Sequence, residues 1–317
     1  MQLNAITRKS ALMAMLLLVV ILVATVVRAR LVPFDVELAE SEYHDGLFAT
    51  IIATLLFLFG GFMLGKIFLR SGLSKNYCAL PMPIYGILTC GLLVTPNLLT
   101  AAATSLAISI AIFLLLRSLH CAGEKDSVFF AALLLGTTAI VYPPNLLLAV
   151  IIPLAVVILA LSMRQAMLMI IGYLLPLLAS SYILWYRGDS IFAFGENLLM
   201  ATITPRMGVS EQLPYLAIIM GVVVIAIMLW GLFYSLIRPN KMFMLTRVRR
   251  SLHLFVWLFV VAVVALFLPG SSIVSLSILA IPTTILLSIS LNLLPNNQST
   301  IAYWLLLLLT ATHLFIA

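Results

Sequence analysis

The sequence predicts an all-α fold: a polytopic transmembrane helix bundle of about eleven spans with a cytoplasmic N-terminus. Two observations predict it. Of 317 residues, 64% are hydrophobic and only 9% charged, where soluble domains carry about a quarter charged residues. The apolar residues also fall in continuous runs of roughly 17–23, the length an α-helix needs to cross a bilayer. In hydrocarbon every backbone polar group must be satisfied within the protein, so only helices or closed barrels can span it. Barrel strands would alternate apolar and polar residues, and these runs do not.

Apolar runs occupy residues 11–27, 47–68, 77–95, 98–116, 128–142, 145–163, 166–186, 215–237, 252–268, 273–294 and 300–317. The first follows Arg8-Lys9, exceeds the apolar core of a usual signal peptide and ends in Arg28-Ala29-Arg30. It is therefore expected to stay as a first span rather than be cleaved at a small-x-small site. The second carries Gly61 and Gly65 with Gly60 adjacent, a small-residue pattern that predicts close helix approach. Lys66 near its end can snorkel to the membrane surface.

Prolines punctuate several of the later runs. Thr95-Pro96-Asn97, Tyr142-Pro143-Pro144-Asn145, Pro269-Gly270-Ser271-Ser272 and Pro295-Asn296-Asn297 each separate neighbouring runs. Proline stops a helix and restricts the residue before it, so these read as tight hairpin tips, with Asn97 and Asn145 as turn formers. Runs 77–95 and 128–142 are short, and are expected either to tilt within hairpins or to cross incompletely. His313 in the last run reads as a packed histidine. Cys78, Cys90 and Cys121 form no metal or disulfide pattern and read as small packing residues.

With the N-terminus inside and each run crossing once, the charges sort themselves. Arg8, Lys9, Lys66, Arg70, Lys75, Arg117, Lys125, Arg164, Arg238, Lys241, Arg247, Arg249 and Arg250 fall inside, and Arg28, Arg30, Arg187 and Arg206 fall outside. The acids divide the other way, with only Glu124 and Asp126 inside. This is the positive-inside pattern, and it is independent of the apolarity that defines the spans. The chain is expected to be one integral membrane domain over 1–317. It has outer loops at 28–46 and 187–214 and a cytoplasmic basic loop at 238–251. The net charge of +7 thus reads as topology and contact with lipid headgroups, not as a nucleic-acid surface.

Phosphate-binding loops, dinucleotide fingerprints, zinc-protease motifs and nucleophile elbows are absent from the sequence. The densest chemistry is the first outer loop, where Asp35, Glu37, Glu40, Glu42 and Asp45 stand with His44 within eleven residues. Crowded carboxylates raise one another's pKa and suit a base, or a divalent cation bound through oxygens. A solvated acidic loop is the alternative. In the second outer loop, Arg187 and Arg206 are candidates to hold a substrate phosphate, because guanidinium pairs bidentately with phosphate oxygens. The rest of that loop mixes apolar and polar residues, as a segment resting on the membrane surface would.

From Lys75 to Asp189, Asn76-Tyr77, Leu80-Pro81, Pro96 with Leu98-Leu99, Gly136, Tyr142-Pro143-Pro144 and Gly172-Tyr173-Leu174-Leu175-Pro176 resemble an uncharacterised polytopic membrane family of Bacteroidota, a domain of unknown function. The resemblance implies an inner-membrane protein. More distantly, the chain resembles GT-C-type glycosyltransferases that use polyprenyl-phosphate sugars. The likeness rests on a cytoplasmic N-terminus, an acidic first outer loop ahead of span two, and Pro-tipped hairpins. It implies a catalytic acid among Asp35, Glu37 and Glu40.

Ionisable groups well inside the runs are scarce, whereas pumps and ion-coupled transporters keep them at bilayer depth. The first expectation is therefore a non-catalytic inner-membrane component of envelope biogenesis or assembly, with the bilayer and other envelope membrane proteins as partners. A GT-C-like transferase acting on a lipid-linked glycan at the outer face is the alternative, and a transporter or lipid flippase the third.

Overall fold

The computed structural model describes residues 10–31, 47–73, 78–92, 98–120, 125–204, 215–237 and 245–316. The described residues are all helix and connecting turn. In chain order they form α1 (Ala11–Leu31), α2 (Leu47–Arg70), α3 (Pro81–Leu92), α4 (Leu98–His120) and α5 (Lys125–Val141). A 3₁₀ segment (Pro143–Val150) then leads into α6 (Ile151–Leu159), α7 (Met163–Tyr186), α8 (Ala193–Ile203), α9 (Tyr215–Ile237), α10 (Thr246–Leu266), α11 (Val274–Leu293) and α12 (Asn296–Ile316). Five of these helices, α2, α4, α7, α10 and α11, are long and apolar enough within the described residues to cross a membrane. This is an all-helical membrane protein.

Helices α3 and α11 form the centre. In α3 every described side chain from Pro81 to Thr89 is buried, and in α11 all of 274–291 except Leu279. Both carry small residues, Gly86 in α3 and Ser277, Ala280 and Ser288 in α11, which let neighbouring helices approach closely. Within the described residues the short run 77–95 holds the twelve-residue α3, about 18 Å long at 1.5 Å per residue. It is enclosed by α1, α2, α11 and α12. Several hydroxyls of α11 close on its own backbone: Ser277 donates to Val274 O, Thr283 to Leu279 O and Ser288 to Thr284 O, each at 2.6 Å, whereas Ser290 donates to Met228 O of α9 at 3.3 Å. Bonding of this kind lets Ser and Thr sit in an apolar core without an orphaned donor.

Packing around the centre uses glycine in two ways. Gly60, Gly61 and Gly65 of α2 receive side chains: a Cβ on Gly61 would lie 2.7 Å from Leu18 of α1, and one on Gly65 2.6 Å from Met82 of α3. Gly136 of α5 and Gly172 of α7 instead admit backbone. A Cβ on Gly172 would lie 2.6 Å from Phe129 O, and one on Gly136 would collide with Tyr173 O and Pro176. Since residues 129 and 136 meet 172 and 173–176 in that order, α5 and α7 run parallel. The chain between them must cross back.

That return is the 3₁₀ segment with α6. Eight residues at about 2.0 Å and nine at about 1.5 Å span roughly 30 Å, a full hydrocarbon thickness. It ends at Ala160, in the left-handed region at φ 52, where Leu161 N donates to Val156 O at 3.0 Å. The basic loop expected over 238–251 is partly helix. α10 starts at Thr246 and places Arg247, Arg249 and Arg250 in its first turns. Arginine is a strong helix former whose long stem keeps its charge in water, so the helix starts earlier than apolarity alone suggests.

Candidate functional site

Where α5 gives way to the 3₁₀ segment, a buried polar junction forms. Tyr142 precedes two prolines, which push the preceding residue into extended backbone, and it sits at φ −138, ψ 101. Its ring leaves the helix axis and reaches the turn between α10 and α11. Ser272 N donates to Tyr142 Oη at 2.8 Å, and the same hydroxyl bonds Ser275 Oγ at 2.8 Å and Ser272 Oγ at 3.2 Å. Asn145 is 1% exposed. Its Nδ2 donates to Thr138 O at 3.4 Å, while its Oδ1 is buried without a partner. Pro143 and Pro144 have no N–H, so the Ala139 and Ile140 carbonyls lose the donors that an unbroken α-helix would supply. From α7, Tyr173 Oη donates to Leu146 O at 3.3 Å.

α8 closes this end. Leu198 and Thr202 are buried, and Gly270 N donates to Thr202 O at 3.0 Å. A Cβ on Gly270 would collide with the Ala201 carbonyl, so the turn after α10 needs glycine to seat α8. Ile191, Phe192, Leu199, Met200 and Ile203 stay exposed, the surface expected of a segment that lies along a membrane.

Of the residues singled out in the sequence, Arg187 lies in the turn that ends α7. It is exposed, and Gly188 beside it has φ 104. Tyr182, Trp185 and Tyr186 are exposed on the preceding turns, as in the aromatic belt at a membrane–water boundary. Asp35, Glu37, Glu40, the candidate cation site of the acidic loop and Arg206 lie outside the described residues. Among the described residues, no three His, Cys, Asp or Glu side chains come together. Asn145, read from sequence as a turn former, does close the turn, its N–H donating to Tyr142 O at 2.9 Å, and its side chain is buried as well. Tyr142 was legible only as a helix stop. The Tyr-Pro-Pro order was the available signal, since it forces the tyrosine off the helix path.

The junction offers hydroxyls and one open amide oxygen. It can hold a hydrogen-bond donor, and it fastens α5 to the α10–α11 turn. It presents no carboxylate or imidazole for proton abstraction among the described residues.

Comparison with family models, with curated proteins and with solved structures found no match.

Proposed function

We propose that this chain is a multi-pass protein of the bacterial inner membrane, with its N-terminus in the cytoplasm and about eleven spans. We infer that it serves envelope biogenesis as a non-catalytic assembly component. The supporting observation is the composition of the centre. Its buried polar residues are Ser, Thr, Asn and His, and no described Asp, Glu, Lys or Arg is buried. Such a centre favours a packed scaffold over an ion-coupled pathway, which keeps charge at bilayer depth. Broad apolar faces on α7 and α9, including Leu178, Ile183, Val222 and Leu229, are available to lipid or to partner helices.

Purification in mild detergent tests the assembly role. A stoichiometric envelope membrane protein should accompany the chain, and a clean monomer from native membranes would count against it. Single cysteines introduced at Asp189 and Arg249 test the orientation. An impermeant reagent applied to whole cells should label the first and spare the second.

Arg187 favours a second reading, a GT-C-like transferase using a lipid-linked sugar. Arg187 is exposed in the turn that follows the exposed Tyr182, Trp185 and Tyr186, an order in which a guanidinium at the membrane boundary would meet the charge of a polyprenyl phosphate. Asp35→Asn, Glu37→Gln and Glu40→Gln, made singly, test this reading. If all three variants complement a deletion strain fully, the transferase reading fails.

A further inference from the structure

We propose that α10 carries a binding site for one anionic phospholipid, its headgroup held by the arginines at the start of the helix. The proposal rests on the chain being a membrane protein, but not on which face is cytoplasmic.

Helix α10 packs on α6 in the opposite direction. Arg250 Nη1 donates to Leu159 O at 3.3 Å at one end, and Tyr142 meets Ser272 beyond the other end. Arg250 is thereby accounted for, since it caps the carbonyl end of α6, where a cation is favoured. Arg249 is not. It is exposed, and among the described residues it has no acidic partner. It also stands in the first turn of its own helix beside Arg247 and Arg250, with no acid there. The helix dipole and mutual repulsion both disfavour that arrangement. An anion beside Arg249 would relieve both.

The exposed stripe of α10 shows what kind of anion. At helical spacing from Arg249 it runs His253, Trp257, Val260, Val264, all exposed. From end to end the order is cation, imidazole, indole, then branched aliphatic. This follows the depth profile of a phospholipid: phosphate, polar interface, ester region, acyl chain. The fifteen helical rises from Arg249 to Val264 cover about 22 Å, close to half of a bilayer of roughly 40–45 Å including its headgroups. A free anion would use only the first turn and leave the aliphatic remainder unexplained.

The test uses the full chain in a zwitterionic detergent and follows thermal unfolding. Phosphatidylglycerol should raise the midpoint saturably, while the same mole fraction of phosphatidylcholine, or inorganic phosphate alone, should not. Arg249→Gln combined with His253→Gln should weaken the phosphatidylglycerol response by roughly ten-fold or more and leave the midpoint in phosphatidylcholine unchanged. Trp257→Ala should weaken it too, with Arg249 and His253 intact. Lys66→Gln removes a charge elsewhere and should retain the full response. Equal shifts with both lipids, an equal shift with phosphate alone, or an equal loss in Lys66→Gln would each overturn the proposal.

Discussion

Two regions of this protein use glycine to bring helices together, and they tolerate change differently. At Gly60, Gly61 and Gly65 the space is filled by the far ends of Leu18, Tyr85 and Met82. At Gly136 and Gly172 it is filled by carbonyl groups of the facing helix. A flexible side chain can turn aside, but a backbone carbonyl moves only with its helix. The sequence marks the first region with a recognisable GxxxG and the second with isolated glycines. By this contrast the unmarked region is the more rigid.

The largest expected effect is therefore at the α5–α7 crossing. Gly136→Ala and Gly172→Ala should each cost about 3 kcal/mol, the upper range for overpacking, read as a large drop in the detergent unfolding midpoint. Next comes Tyr142→Phe. It strips Ser272 N–H and Ser275 of a buried partner, for about 2 kcal/mol. A midpoint equal to the unaltered protein would mean that the junction does not fasten α5 to the α10–α11 turn. Gly61→Ala and Gly65→Ala should cost about 1 kcal/mol or less, because Leu18 and Met82 can shift. If they match Gly136→Ala, the contrast between side-chain and backbone contact is broken. Smallest is Ser277→Ala in α11. Its hydroxyl bonds only its own helix, so the midpoint should move by roughly 0.5 kcal/mol or less.

Helical class was legible in sequence because it follows from composition and run length, which need no knowledge of neighbours. All eleven apolar runs hold helical residues. Some boundaries were less legible. Helix α10 begins at Thr246 rather than 252, because arginines extend a helix that apolarity alone would start later. Run 145–163 became 3₁₀ followed by α-helix, and no periodicity in its apolar residues signals that change. The candidate site was less legible still. Tyr142 and Asn145 read as punctuation because their partners, Ser272 and Thr138, are found by folding. The helix end before Arg187 was legible, since a charge following an aromatic-rich apolar segment marks a boundary by itself.

The sequence alone determined that this chain is helical and suited to lipid, because the transfer of apolar side chains and the satisfaction of backbone groups are local requirements of each segment. Only the tertiary structure decided which helices are central. Helices α3 and α7 are similarly apolar, yet one is enclosed and the other largely exposed. In a membrane, lipid and protein interior are equally apolar, so hydrophobicity cannot distinguish them. Close packing at small residues makes that choice.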